Sequence, residues 1–262
     1  MCGRGFQWLP ISVVVLSVAT FVCTYIIAVV RGDVSAIFPY ISDTGTEIPE
    51  SCVFGQFLNM AAILALGTMY VRYKLVQTLG GHEDSRLRCL NKAGLVMGVL
   101  SAFGLTLVAN FQETSLEPVH VTGAALVFGV GVLYEFVQTA LSFHMCPNFN
   151  GKLICRVRLA ISIISFIAMI IAFSAAGVSH YENQSVAGNK TERLHWRPED
   201  KGFTAHIIST VGEWFAAIAF LTFFFTYIRD FQKIDFELRS SMRVRHLDEE
   251  PVYASESTWL LI

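Results

Sequence analysis

The sequence predicts an all-α protein, a polytopic bundle of six transmembrane helices. Three observations predict it. Six charge-poor apolar stretches of 20 to 34 residues punctuate the 262-residue chain, and about 20 apolar residues of helix cross a hydrocarbon core of about 30 Å. Only Glu135 and Glu213 interrupt these stretches. The composition, 53% hydrophobic and 15% charged, is too apolar for a water-soluble globule of this size. Backbone groups in lipid must bond within their own segment, which makes the stretches helices.

The first span covers 9–30. Arg4 precedes it, yet the run is too long for the apolar region of a cleavable signal and lacks a small-x-small cleavage site, so it reads as a signal anchor. The loop after it, PYISDTGTEIPESC (39–52), is stiffened by Pro39 and Pro49 and turned by Asp43-Thr44-Gly45. Asp43, Glu47 and Glu50 make it acidic, and it reads as a cap on the mouth of the bundle. Spans two and three cover 53–71 and 93–109. Gly94, Gly98 and Ala102 recur every four residues in the third, a face of small residues that lets another helix approach closely. The fourth span, 119–142, carries Gly123, Gly129 and Gly131 less regularly, together with Glu135. The fifth covers 159–178 and the sixth 204–227, where Phe215, Phe220, Phe223, Phe224 and Phe225 read as lipid-facing or core bulk.

These spans form one membrane domain, 1–234, followed by a polar, disordered cytosolic tail, 235–262. Its orientation follows from positive charge. With both termini on one side, that side carries 14 of the lysines and arginines against 5 on the other, and is cytosolic. Two sequons, at Asn183 and Asn189, then fall in a lumenal loop as glycosylation sites. The six cysteines give no disulfide framework, and Cys52, near the lumen, reads as a buried thiol. The net charge of −2 favours neither nucleic acid nor an acidic substrate.

Charged groups inside the membrane are costly and need partners. Glu213 shares a helical face with Thr210 and His206, and His120 and Asn110 approach from neighbouring spans. Two readings stay open for these four, Glu213, His206, His120 and Asn110. One is interhelical hydrogen bonding that fixes packing; the other is a proton-linked or ligand-binding cavity. A zinc hydrolase needs three ligands around an open position. His120, His180, His195 and His206 share a side, but no two have H-x-x-x-H spacing. No nucleophile elbow or phosphate-binding glycine loop appears either. The chain therefore reads as no enzyme, with no catalytic residue, cofactor or metal.

The chain ends in Glu256-x-x-x-Leu260-Leu261, the pattern of an acidic dileucine sorting signal. Clathrin adaptors read such a signal in a cytosolic tail, the leucines filling an apolar pocket.

Several strings carry a resemblance: PYISDTGT in the first loop, YVRYK (70–74), LNKAGLV (90–96), VANFQ (108–112), LHWRPEDKG (194–202), GEW (212–214) and TYIRDFQKI (226–234). Together they resemble the damage-regulated autophagy modulators, the DRAM family of the Frag1/DRAM/Sfk1 group, over nearly the whole chain to about residue 234. The longer tail is similar to that of the family's second, longer-tailed member. The resemblance implies six spans, residence in lysosomal and late endosomal membranes, a positive role in autophagy with a link to apoptosis, and partners among autophagy or lysosomal membrane proteins. It implies no catalytic residues. Glu135 departs from the uncharged residue expected at its position. A transporter, channel or lipid-handling protein using Glu213 and His206 is the alternative function.

Overall fold

Residues 5–80, 84–182 and 194–234 are described by the computed structural model, and they contain helices and turns but no strand. Asn183, Asn189, Glu256, Leu260 and Leu261 lie outside the described residues. Six long apolar helices build the fold: α1 (Trp8–Arg31), α2 (Glu50–Leu79), α3 (Ser85–Asn110), α4 (Glu113–His144), α5 (Lys152–Glu182) and α6 (Phe203–Phe231). Each is long and apolar enough to cross a membrane. The helices overrun the apolar stretches because propagation adds one hydrogen bond per residue once a helix has formed. Thus α2 continues through YVRYK to Leu79, and α5 starts at Lys152.

Successive helices pack side by side and α6 returns to α1, so the bundle closes in chain order. Gly5 and Ile234 lie at what we call the near end; the connections after α1, α3 and α5 lie at the far end. Near-end packing joins Leu9, Val71, Ile161, Phe223, Tyr227 and Phe231. Mid-depth packing joins Val13, Met69, Tyr134 and Phe224. Phe215 and Phe225 point outward.

Small residues set the closest approaches, as lipid gives no hydrophobic gain for helix association. A Cβ at Gly98 would stand 2.5 Å from Met69 Sδ, and one at Gly94 would stand 2.9 Å from Gln138 Nε2. The small face of α3 is therefore wedged between α2 and α4. Gly104 and Gly123 let α3 and α4 touch backbone to backbone. Gly129 differs: a Cβ there meets nothing within 4 Å. Cys52 also departs from expectation. It is exposed rather than buried, because the first turn of α2 directs it away from the bundle.

Asp84 caps α3 by accepting the amides of Leu87 and Arg86, and those two bonds hold its carboxyl below the usual range. Within α4, Leu116 leaves helical geometry ahead of Pro118, and a wider π-type turn spans Ala125–Val130. Such turns often mark functional positions.

At the near end, two arginines counted from sequence as loop charge are wholly buried. Arg72 Nη1 and Arg158 Nη2 both contact Asp230 Oδ2, at 3.1 and 2.6 Å. Arg72 also donates to Gln138 and Ser142, and Arg158 to Ser142 and Thr226. Asn150 donates to the second Asp230 oxygen at 3.0 Å. Both guanidinium groups also lie over the Tyr227 ring. This knot joins α2, α4, α5, α6 and the connection between α4 and α5. Glu135, buried on α4 near Ser165 of α5, has no hydrogen bond of normal geometry on either oxygen among the described residues.

Candidate functional site

The loop after α1 folds back into the far end of the bundle. Asp43, Thr44 and Gly45 form a buried short turn. Thr44 Oγ1 donates to Ile41 O at 2.7 Å and lies 2.9 Å from Thr24 Oγ1 of α1. From α6, Glu213 Oε2 accepts the Ile41 amide at 2.8 Å, and Trp214 Nε1 donates to Pro39 O at 3.0 Å. The loop motif and the GEW motif, 175 residues apart at the Pro39–Trp214 contact, thus form one structure. Beyond them Leu194 packs on Ala28 and Val34, and its carbonyl accepts the Ser35 amide.

Around this cap lie three adjoining cavities. The outermost, about 370 Å³, is lined by Tyr40, Asp43, Glu113, Glu117, Trp196 and His206 among others. A second, about 150 Å³, shares Tyr40 and Glu113 with it and reaches inward to His120 and Glu213. The third, about 100 Å³, is an apolar chamber between α1, α2, α3, α4 and α6, with Phe54, Leu58, Phe128 and Phe224 in its walls. Ser42, His120, Ala124, Phe128 and Glu213 belong to the walls of both inner cavities. Glu213 stands where polar vestibule gives way to apolar chamber.

His206 is buried, its ring stacked on Trp196 with centroids 4.4 Å apart and edge-on to Tyr40 at 5.0 Å. Among the described residues its nitrogens have no hydrogen-bond partner. His120 Nδ1 lies 2.7 Å from Phe111 O. A carbonyl only accepts, so that nitrogen carries the proton and, in the neutral ring, Nε2 is an acceptor. Burial, followed by the charges of Glu113 and Glu213, pushes the Asp43 carboxyl well above the usual carboxylate range, against a pull downward from the Tyr40 backbone. Burial likewise raises the Tyr40 hydroxyl.

Three of the four residues grouped from sequence, Glu213, His206 and His120, share these cavities. Asn110 does not. It exchanges hydrogen bonds with Asn59 of α2, at 3.0 and 3.1 Å, on the α2–α3 seam. His195 contacts Gly32 O instead. Among the described residues no cluster of three His, Cys, Asp or Glu side chains has the arrangement to hold a metal. Sequence reasoning missed Tyr40, Glu113, Glu117 and Trp196. Glu113 and Glu117 stand on either side of the break at Leu116, so helical spacing does not announce that both line the vestibule.

A family profile described as the Frag1/DRAM/Sfk1/Cwh43P N-terminal domain matches residues 5–234. The DNA damage-regulated autophagy modulator protein 2 of Bos taurus is 45% identical, over 98% of this chain and 97% of its own length. The Homo sapiens protein of that name is 45% identical over 91% of this chain and 89% of its own. The DNA damage-regulated autophagy modulator protein 1 of Homo sapiens is 36% identical over 91% of this chain and 96% of its own. No solved structure matches the chain. With a family profile spanning all six helices and relatives aligned nearly end to end, the chain belongs to the Frag1/DRAM/Sfk1/Cwh43 family, in its damage-regulated autophagy modulator branch, and is more similar to the second member than to the first.

Proposed function

We propose that this chain is a lysosomal and late endosomal multi-pass membrane protein that promotes autophagy without catalysing a reaction. The observation that carries this reading is likeness over 98% of the chain to a relative named an autophagy modulator. In this reading the near end is cytosolic and the far end lumenal, which the excess of lysine and arginine at the near end supports. Asn183 and Asn189 then carry glycan, and the 235–262 tail presents Glu256, Leu260 and Leu261 to clathrin adaptors. Its other partners are autophagy or lysosomal membrane proteins. The test is rescue of autophagic flux in cells lacking the protein, measured as lysosome-dependent turnover of a lipidated autophagosome marker. Restored turnover with the tagged chain on lysosomes is expected. Unchanged turnover from a correctly placed chain overturns the reading.

A second reading is favoured by the cavities around Glu213: the protein binds and moves a ligand through them. Ligand flux across liposomes containing the purified chain, abolished by Glu213→Gln, supports it. Wild-type liposomes no leakier than empty ones overturn it.

A further inference from the structure

We infer that the far-end vestibule and the chambers beneath it hold a single-chain amphiphile whose head is a protonated primary or secondary amine. This rests on the second reading above and specifies its ligand. Three properties of the cavities select that chemistry.

The first is charge. Asp43 lines the vestibule and Glu213 its inner wall, whereas no lysine or arginine lines any of the three cavities among the described residues. A cationic head pairs with such carboxyls and an anionic head does not. The burial that raises Asp43 is relieved by a cation beside it. Tyr40 and Trp196 add ring faces that attract cations further.

Hydrogen bonding is the second. His206 is buried, lines the vestibule and has no hydrogen-bond partner among the described residues. His120, buried against the inner cavities, holds Nε2 as a bare acceptor. Buried acceptors lacking a donor are costly, and what they lack is N–H or O–H donors. A primary or secondary ammonium supplies them; a quaternary ammonium does not.

The third is shape. Past Glu213 the walls become apolar, with Phe54, Leu58, Phe128 and Phe224 around a chamber within the bundle. An alkyl chain fits such walls. It gains little there relative to surrounding lipid, so the head decides which amphiphile is held.

The test uses the full chain in phosphatidylcholine nanodiscs and calorimetric titration with octylamine, octanol, octanoate and octyltrimethylammonium, with empty nanodiscs subtracted. Octylamine is expected to bind at least about tenfold more tightly than the other three, the ratio for one charge-assisted hydrogen bond. His206→Phe keeps a ring on Trp196 but removes the ring nitrogens. It should erase the preference for octylamine over octyltrimethylammonium. Ala124→Leu narrows the passage between the inner cavities and should weaken octylamine while sparing propylamine. Equal binding of amine and alcohol, or of amine and trimethylammonium, overturns the proposal, and the wild-type series decides even where a variant does not fold. Liposome flux without amine preference overturns the ligand class but leaves the cavity reading standing. Amine binding without flux upholds the site and overturns transport.

Discussion

Arg158 and Asp230 form an ion pair closed off inside the bundle, with Nη2 and Oδ2 2.6 Å apart and both side chains almost wholly buried. The same carboxylate oxygen also receives Arg72. One aspartate therefore bonds two guanidinium groups, with Ser142, Gln138 and Thr226 accepting further bonds. Removing one partner of a buried pair leaves an uncompensated charge, which costs about 3–5 kcal/mol. Asp230→Ala should lower unfolding free energy in detergent by about that amount and deplete the protein in cells. Gln232→Ala, two residues on and exposed, should stay within about 0.5 kcal/mol of wild type.

Glycine substitutions should separate close approach from chain flexibility. A Cβ at Gly104 would lie 2.7 Å from Gly123 O, a backbone atom that cannot step aside. Gly104→Ala should destabilise by about 1–3 kcal/mol. Gly129→Ala meets nothing within 4 Å and should gain up to about 1 kcal/mol from helix propensity. Paired thermal melts check both. Equal effects at the two positions would sink the packing argument.

Asp43 should make stability depend on pH. Its folded-state carboxyl is raised above its ordinary value of 3.8, so the folded protein binds the proton more tightly than the unfolded chain. The contribution is complete below that ordinary value and is lost as pH rises through the raised one. Melting temperature should therefore fall as pH rises from that ordinary value through the raised one, and Asp43→Asn should flatten that dependence. A variant as pH-sensitive as wild type would assign the dependence to other groups.

Address and fold should be separable. Leu260→Ala with Leu261→Ala should shift the protein toward the plasma membrane with its melting temperature unchanged. Surface labelling against lysosomal co-localisation measures this. Persistent lysosomal placement would locate the address elsewhere in the chain.

Six helices were legible because lipid forbids charge over a fixed length, and the gaps between charged residues record that length. The cavity was half legible. Glu213 and His206 are two turns apart on one helix, and helical periodicity alone places them together. Asn110 misled because nearness to the far end says nothing about which seam a side chain enters; it meets Asn59 instead. Arg72 and Arg158 were read as charges at the membrane edge. A charge near a span's end counts the same for orientation whether it reaches water or turns inward. Their burial follows from pairing with Asp230, 158 residues beyond Arg72, which no local pattern announces. The strings YVRYK and TYIRDFQKI nevertheless contain both ends of that Arg72–Asp230 contact.

The two ends of the bundle are secured by different means, and the difference assigns motion. Near-end helices are laced together side chain to side chain, so parting them strands charge in an apolar interior. The far end is closed by a stopper: a single loop seated against Thr24, Glu213 and Trp214. Lifting the stopper releases a handful of polar contacts and no buried guanidinium. The molecule is therefore a vessel with a fixed base, and the far end is the one that opens most cheaply.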